Sequence, residues 1–290
     1  AHMDEIGYTI SSIDSAGFLY LYPLGGIPEI IGPGQWVTVH TEKGIISGTT
    51  GIHSPHLKIS GNPPLFADIG AGSRQQAIDM GVKVGDPVTI DYKFKQLSDD
   101  RVMGRCLDNR TGCAALITIL KTLSSNNLKT NIYAVFSSTE EHGMHPGNPS
   151  SQIHGARGAF VTAQNIKPHF AIILDSMIAD DIPGITGQAN NIRLGKGVSL
   201  RLVDDLAIMR PRVRKLARAT AEKNCIPLQE GISRSFTDAS QVQLSGAAVL
   251  TLGIPVRYVH SPGQVASISD LESAIKMVLG VINLLETAPP

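Results

Sequence analysis

The stretch Tyr133-Ala-Val-Phe-Ser-Ser-Thr-Glu140-Glu141-His-Gly143 places two adjacent carboxylates directly after an apolar run. We interpret residues 132–136 as a buried strand and the Glu pair as the loop that follows it. Two carboxylates at the end of a buried strand are costly to place there for structural reasons alone. In a hydrolase such a pair can divide the work, because one carboxylate binds a metal ion while the other moves protons. The stretch therefore predicts a core strand and a candidate catalytic site.

Helix and strand patterns alternate on both sides of this stretch, from about residue 101 to the end of the chain. Alternating strands and helices predict an α/β sheet. In the last helix, Ser269-Asp-Leu-Glu272 has the pattern of a capping box. The other predicted elements are helices at Asp108–Leu123 and Pro211–Lys223, and strands at Phe170–Leu174 and Ala248–Val259.

Residues from about Gly7 to Gln96 have an all-β pattern instead. Two apolar runs flank the turn Glu42-Lys43-Gly44, which predicts a hairpin. Glycine and proline occur throughout, and one short helix is predicted at residues 73–80. The segment predicts a small barrel or sandwich, with strands at Phe18–Tyr22, Trp36–His40, Ile45–Gly48 and Val88–Phe94.

Composition narrows the class of protein. The 290 residues are 42% hydrophobic and 17% charged, which is typical of a compact folded chain. Lys+Arg and Asp+Glu both number 25, so no basic excess points to nucleic acid or to an anionic membrane, and no apolar run approaches the roughly 20 residues of a membrane span. The three cysteines have neither scaffold nor zinc-knuckle spacing, and we predict a reducing, cytoplasmic location.

Residues of metal-ligand type follow several of the predicted elements. Asp175 ends one strand, His260 ends another, Glu140 and Glu141 follow a third, and Asp108 opens a helix. Because functional groups of open α/β sheets gather at the carboxyl ends of strands, these side chains can converge. Each also has a plainer interpretation when taken alone. Asp108 can be a helix N-cap, His260 a core or surface histidine, and the acidic residues ordinary loop carboxylates.

Motifs along nearly the whole chain decide between these interpretations by their order and spacing, although each is weak alone. They are Ala1-His-Met-Asp-Glu-Ile-Gly7, Asp68-Ile-Gly-Ala71, Leu107-Asp-Asn-Arg-Thr-Gly-Cys113, Glu140-Glu-His-Gly143, Asp175-Ser-Met-Ile-Ala-Asp-Asp-Ile-Pro-Gly184, Leu194-Gly-Lys-Gly197, Thr237-Asp-Ala239 and Arg257-Tyr-Val-His-Ser-Pro262. In these motifs the chain resembles the dinuclear metallo-aminopeptidases of the tetrahedral-aminopeptidase and glutamyl aminopeptidase type, the forty-second metallopeptidase family.

The resemblance implies a role for each candidate residue. It implies that Asp108 bridges two divalent metal ions, of which zinc or cobalt suits the mixed imidazole and carboxylate ligands. Glu140 is implied as the general base that deprotonates the bridging water, and Asp4 as the residue that orients His2. The implied ligand pairs are His2 with Asp175 for one metal ion and Glu141 with His260 for the other.

The resemblance also implies a fold and an assembly. It implies a phosphorylase/peptidase-like three-layer α/β/α catalytic domain, formed by residues 1–7 and 98–290, with a small β-barrel domain inserted at residues 8–97. The inserted barrel is expected to build a homo-oligomer, from a dimer up to a tetrahedral dodecamer. The expected activity is the removal of N-terminal residues from short peptide substrates.

The chain departs from the family pattern in three places. It begins at the first ligand motif, so we expect either a truncated form or an N-terminal stretch absent from the sequence. Ala1-His2-Met3 has a rival interpretation as a cloning remnant, in which case His2 is no ligand. Residues 144–154 look like an inserted surface loop, whose His145 and His154 are rival ligands. Arg234 stands near Thr237 where the family has glycines, and we predict that it favours an acidic first residue of the substrate.

Two other functions remain open at this point. The first is a non-enzymatic or metal-deficient relative that binds peptides or serves assembly. The second is a glycoside hydrolase, which would need two carboxylates about 5–9.5 Å apart across a sugar ring. In that enzyme the histidines and the additional aspartates would have no role. The preferred substrate residue and the physiological metal are not predicted by the sequence.

Overall fold

A computed structural model describes residues 1–54, 56, 64–124, 128–142, 155–185 and 191–287, so the inserted loop with His145 and His154 lies outside the described residues. The helices are α1 (Arg74–Asp79), α2 (Leu107–Leu123), α3 (Arg157–Ile166), α4 (Pro211–Lys223), α5 (Ala239–Val242) and α6 (Ile268–Thr287). The strands are β1 (Gly7–Ile13), β2 (Leu19–Leu24), β3 (Trp36–Thr41), β4 (Gly44–Thr50), β5 (Phe66–Asp68), β6 (Pro87–Ile90), β7 (Lys95–Gln96), β8 (Arg101–Gly104), β9 (Phe170–Ile178), β10 (Val198–Val203), β11 (Leu228–Ile232), β12 (Ala248–Arg257) and β13 (Gln264–Ser267).

The first six strands close into a barrel in the order β1-β2-β5-β4-β3-β6, which confirms the predicted small barrel. Strands β3 and β4 form the predicted hairpin, with Thr41 opposite Gly44 at the turn. Because successive side chains of a strand point to opposite faces, Val37 and Val39 fill the barrel interior while Trp36 is 75% exposed. Alternation in the sequence thus separates the barrel core from its outer surface.

The predicted strand Val88–Phe94 is too long, since β6 ends at Ile90. The next aromatic residues leave the barrel and pack against the sheet. The Tyr92 hydroxyl donates to Met103 Sδ at 3.4 Å, and the Phe94 ring covers Gly104 closely enough to touch a Cβ placed there. The apolar pattern therefore continues past the end of β6 because Tyr92 and Phe94 pack against β8 of the second sheet.

The second sheet has seven strands and is built around β12. One edge of β12 pairs with β9 in parallel along nearly its whole length. The other edge pairs antiparallel with β10 and then with β13. Strand β13 continues the sheet to β8 and β7, and β10 continues it to β11. Because β12 lies in the middle of a sheet that is covered on both faces, both of its faces are buried, which explains its continuous apolar run.

Helices cover both faces of this sheet. Leu174 of β9 belongs to a core formed with α2, α4 and α6, whereas the adjacent Ile173 belongs to a core formed with α3 and α5. Neighbouring residues of a strand face opposite sides, so the two cores lie on opposite faces of the sheet. The α/β architecture agrees with the prediction. Among the described residues no helix is long and apolar enough to cross a bilayer.

The prediction of a buried strand at residues 132–136 is wrong. No strand is assigned there, and Ile132 and Tyr133 are 37% and 61% exposed. The backbone of the segment instead bonds to the first residues of the chain, with Ser137 N donating to Ala1 O at 3.0 Å and Met3 N donating to Ser137 O at 2.8 Å. Apolar composition does not distinguish a central strand from a partly exposed segment that bonds to only a few residues.

The predicted capping box at Ser269 is also wrong. Helix α6 begins at Ile268, so Ser269 lies inside the helix and not before its first residue. Ser267 supplies the cap, and its hydroxyl accepts from Asp270 N at 3.4 Å. The buried carboxylate of Asp270 accepts from the backbone of Gly195 and Gly197, both at 2.7 Å. Glu272 is exposed. The acidic residue at the start of α6 thus ties a distant loop to the helix.

Candidate metal centre

The structure brings all of the predicted ligands and Glu140 into one cluster. Most of its members are buried, with exposed fractions of 2% for His2, 7% for Asp108, 5% for Glu140 and 5% for Asp175. His2 forms an isolated bridge with Ser137, which favours the ligand hypothesis over a cloning remnant. Side chains far apart in sequence meet here. Asp175 lies in β9, which pairs in parallel with β12, and His260 follows β12. The Glu pair follows Ser137, whose backbone bonds to the first residues of the chain.

Two ligand positions differ in detail from the prediction. Asp175 does not end its strand, because β9 continues to Ile178. His260 lies beyond the end of β12 at Arg257, in a turn where both Tyr258 and His260 have positive φ. Such left-handed conformations are sparsely populated for residues other than glycine. The turn therefore needs contacts from its surroundings to hold the imidazole in place.

The carboxylate of Asp108 joins the cluster, since each of its oxygens faces a different histidine. Its Oδ1 lies 3.3 Å from His2 Nε2, and its Oδ2 lies 3.7 Å from His260 Nε2. The N-cap interpretation of Asp108 is wrong, because α2 begins before it at Leu107 and its oxygens face the imidazoles. A carboxylate with one oxygen for each of two histidines has the geometry of a bridging ligand.

Two further carboxylates complete two sets of ligand atoms. His2 Nε2 is 3.5 Å from Asp175 Oδ1, and His260 Nε2 is 3.2 Å from Glu141 Oε2. The sets are His2 with Asp175 and His260 with Glu141, and both share Asp108. They are close neighbours, because ligand atoms of His2, Asp108 and Glu141 also lie within 4.8 Å of one another.

The charges of the cluster are unbalanced, which is what a cation site requires. Among the described residues, these carboxylates form ion pairs only with histidines. Burial alone would lower the pKa of His2, but the carboxylates of Asp108 and Asp175 raise it well above its ordinary value. Burial likewise opposes the shift at His260, where Glu141 and then Asp108 raise the pKa to about 9. The carboxylates thus draw positive charge into the site.

Unpartnered oxygen atoms support the same conclusion. Asp108 Oδ1 and Glu140 Oε1 are buried and lack a hydrogen-bond partner among the residues that the structure describes. Asp108 Oδ1 approaches His2 Nε2 without hydrogen-bond geometry, as two ligands facing a shared cation would. Buried carboxylates without partners are unstable unless a proton or a metal ion occupies the site. The mixed set of imidazole and carboxylate donors fits a divalent transition metal.

Glu140 lies beside His2 in the same cluster. Its Oε2 lies 4.0 Å from His2 Nε2. Burial first, and then the negative charge of Asp175, raise the pKa of Glu140 well above its ordinary value. A carboxylate with a raised pKa exchanges protons nearer to neutral pH, which suits a general base and acid.

Asp4 has a broader role than the predicted orientation of His2. Its two carboxylate oxygens accept from Glu140 N at 3.2 Å and from Glu141 N at 3.1 Å. His2 Nδ1 lies 3.3 Å from the Asp4 carbonyl oxygen and 3.7 Å from Asp4 Oδ1. Asp4 therefore fixes the backbone of the Glu pair as well as the imidazole.

Two residues that hold Asp108 in place were missed by sequence reasoning. Gln264 is 2% exposed, and its Oε1 accepts from Asp108 N at 2.8 Å. Asn109 Nδ2 donates to the carbonyl of Leu174 at 2.8 Å, which links the Asp108 segment to β9 directly before Asp175. Asn109 follows a recognised ligand in a quoted motif, whereas nothing in the sequence pattern points to Gln264.

Arg234 is exposed in the loop that follows β11. In the part of the chain that the structure describes, its guanidinium makes no ion pair or hydrogen bond with the ligand cluster. The adjacent Ser233 and Ser235 bond to each other at 2.8 Å, and Ser235 also accepts from Arg201 at 2.9 Å. The loop is thus anchored next to Arg234, while the Arg234 side chain is free to meet a ligand from solvent.

The chain is similar to a family of aminopeptidases in both sequence and structure. Residues 1–277 match the family described as M42 glutamyl aminopeptidase. The lysyl aminopeptidase of Pyrococcus furiosus is 31% identical over 99% of this chain and 81% of its own length. A TET aminopeptidase from Thaumarchaeota archaeon SCGC AB-539-E09 superposes with a TM-score of 0.90 and 31% identity, over 99% of this chain and 80% of that one. The TET1 peptidase of Pyrococcus horikoshii, described as assembling into a tetrahedron or a large octahedral shell, has a TM-score of 0.84 and 33% identity over 97% and 82% of the two chains.

Replacing Asp4 with Ala is expected to weaken divalent-metal binding about 10–100-fold, the usual cost of removing a group that orients metal ligands. Titration of metal-stripped protein with Co²⁺, followed by visible absorption, measures the effect. Asp14→Ala is a matched control, since Asp14 also accepts two backbone N–H groups, at 2.9 Å each, but in a barrel turn. Unchanged cobalt affinity in Asp4→Ala would contradict this role.

Proposed function

The chain belongs to the M42 glutamyl aminopeptidase family, and from that premise we propose that it removes N-terminal residues from short peptides with two divalent metal ions. The protein is a metal-dependent aminopeptidase, and therefore a hydrolase that acts on peptide bonds. The observation that carries the two-metal proposal is the Asp108 carboxylate, whose oxygens each face a different histidine.

The proposed ligands follow from the two sets of facing atoms. His2 and Asp175 would hold one metal ion, Glu141 and His260 would hold the other, and Asp108 would contribute to both. Zinc or cobalt is proposed because imidazole and carboxylate donors together suit these ions better than calcium. The support is the convergence of buried donors and the unpartnered Asp108 oxygen.

When bound, such metal ions polarise the scissile carbonyl and lower the pKa of water. The protein supplies the proton transfer, which we assign to Glu140. Its carboxylate takes a proton from the attacking water and returns it to the nitrogen of the leaving peptide. The Asp4 carboxylate holds the backbone N–H of Glu140 and so fixes the position of the base.

We also propose that the barrel is an inserted domain, at residues 8–97 of a three-layer α/β/α peptidase, and that it builds a homo-oligomer. The support is the outer surface of the barrel, where Trp36, Ile45 and Ile30 are 75%, 73% and 88% exposed. Exposed apolar side chains of this size are candidates for burial in an interface. The assembly of the Pyrococcus horikoshii TET1 peptidase is consistent with this role. A cytoplasmic location is supported by three cysteines without disulfides, and cell fractionation tests it.

The other functions considered have less support. A metal-deficient relative would lack part of the ligand set or the base, whereas both are brought together here. A glycoside hydrolase would leave His2 and His260 without a role, although both lie next to carboxylates of the cluster. The aminopeptidase mechanism gives a role to both histidines and to the carboxylates of the cluster.

Glu140→Gln is expected to lower kcat/KM for aminoacyl-nitroanilides by about 10²–10⁴-fold, because the amide cannot carry the proton. Metal content should stay at the wild-type level. Metal-stripped wild-type protein should be inactive and should regain activity with Zn²⁺ or Co²⁺. Glu272→Gln, an exposed site on α6, is the control. Full activity in Glu140→Gln, or in the metal-stripped enzyme, would overturn the proposal.

Arg234→Ala is expected to reduce the ratio of kcat/KM for Glu-nitroanilide to that for Leu-nitroanilide about two- to fivefold, the value of one exposed ion pair. The reason is the loss of the proposed contact between Arg234 and an acidic first residue. Arg212→Ala, at an exposed position of α4, should leave the ratio unchanged. If the ratio is the same in the wild type and in Arg234→Ala, Arg234 does not determine this specificity.

Trp36→Glu is expected to shift the protein to smaller assemblies, because a charge replaces an apolar contact at the proposed barrel interface. Sedimentation velocity measures the distribution. The same substitution at Ile208, which is 71% exposed outside the barrel, is the comparison. A wild-type protein that is monomeric at micromolar concentration would contradict the assembly role.

A further inference from the structure

The loop after β2 reaches from the barrel to the metal centre. The carbonyl oxygen of Gly26 lies 2.9 Å from His260 Nδ1. The other ring nitrogen of His260, Nε2, faces Glu141 and Asp108. One imidazole therefore connects the barrel to a set of proposed ligands.

The Gly26 contact determines which ring nitrogen of His260 carries a hydrogen, as well as the orientation of the ring. A carbonyl oxygen only accepts hydrogen bonds, so Nδ1 of His260 carries a hydrogen and donates it. In the neutral ring, Nε2 then has a free lone pair directed at the cluster. Ligating histidines commonly bond through their other nitrogen in this way, and loss of the partner weakens metal binding.

The glycines of this loop are required by close contact. A Cβ on Gly26 would lie 2.9 Å from His260 Nδ1 and 3.2 Å from Cε1. Gly25 has φ +85°, and a Cβ there would lie 2.6 Å from Ile6 Cγ2 and 3.3 Å from the Glu141 carbonyl oxygen. A side chain at either position would push against a residue of the same ligand set. The barrel loop is thus fitted to the His260–Glu141 side of the centre.

The other ligand set has its own supports. His2 Nδ1 faces the Asp4 carbonyl at 3.3 Å, and Asp175 Oδ1 accepts from Ser176 N at 2.7 Å within β9. His260, in contrast, lies in a turn with positive φ at both Tyr258 and His260. Its ring therefore depends on a contact from outside the turn.

We propose that Gly26 is a positioning residue, through which the barrel sets the metal affinity of the His260–Glu141 site. The proposal rests on the two-metal centre proposed above. It makes this site sensitive to any displacement of the barrel loop, while the His2–Asp175 site is independent of it. The two sites of one centre thereby differ in how strongly they depend on the barrel.

Gly26→Ala tests the proposal by Co²⁺ titration of metal-stripped protein, followed by visible absorption and by metal analysis after desalting. We expect one site to keep its wild-type affinity and the other to weaken about 10–100-fold. His260→Ala and His2→Ala identify which absorption belongs to which site. Gly72→Ala is the matched control, because its Cβ would meet only Gln76 Oε1, at 3.4 Å. Wild-type affinity at both sites of folded Gly26→Ala overturns the proposal.

A second test leaves the Gly26 loop unchanged. In His260→Gly, added imidazole can replace the missing ring and donate to the Gly26 carbonyl, whereas 1-methylimidazole binds a metal but has no N–H for that carbonyl. Imidazole should restore the second Co²⁺ site at concentrations at least tenfold lower than 1-methylimidazole. Equal restoration by the two bases overturns the role of Gly26.

The titrations also separate this inference from the proposed function. If the wild-type protein binds one Co²⁺ per chain, the two-metal centre is contradicted and the inference loses its basis. A wild-type protein that binds two, together with unchanged binding in Gly26→Ala, removes only the role of Gly26.

Discussion

The constraint on which the rest of the structure depends is the burial of several carboxylates around Asp108. Burying carboxylates together is strongly unfavourable unless cations or protons compensate them. Asp108, Glu140, Glu141 and Asp175 are nearly excluded from solvent, and their charged neighbours are histidines. Divalent cations would remove this cost, so the folded centre and bound metal ions would stabilise each other. The surrounding elements hold the carboxylates close together.

The supports of the centre come from distant parts of the chain, and most are backbone contacts. The Asp4 carboxylate holds the N–H groups of the Glu pair, while Gln264 holds the N–H of Asp108. Asn109 ties the Asp108 segment to β9, and the Gly26 carbonyl holds His260. Ligand geometry is therefore set by a layer of hydrogen bonds around the ligands. The barrel takes part in this layer, which connects a domain proposed for assembly to the catalytic centre.

Sequence reasoning found the side chains that converge in the cluster, and it missed several residues that hold them. Packing alone does not explain carboxylates and histidines beside apolar runs, and the family motifs fix their order. Gln264 and Gly26 lack such a signal, because a buried amide or a glycine carbonyl becomes important only through what approaches it. The errors at residues 132–136 and at Ser269 have a related cause. Apolar runs and capping patterns describe local preference, and neighbours far along the chain decided the outcome in both segments.

The sequence by itself determined the alternation of strands and helices, the barrel hairpin, helix α4 from Pro211 to Lys223 and the identity of the candidate ligands. The elements follow from side-chain periodicity, which is a local property, and the candidate ligands follow from residue chemistry together with the resemblance to a known family. Only the tertiary structure decided that the two oxygens of Asp108 face different histidines, that Asp4 fixes the Glu pair, and that a barrel loop contacts His260. These contacts join residues up to 234 positions apart, and no local pattern records a distance across the fold. The physical reason is that hydrogen bonds and charge pairs depend on separation in space, which the packing of the sheet and the barrel alone establishes.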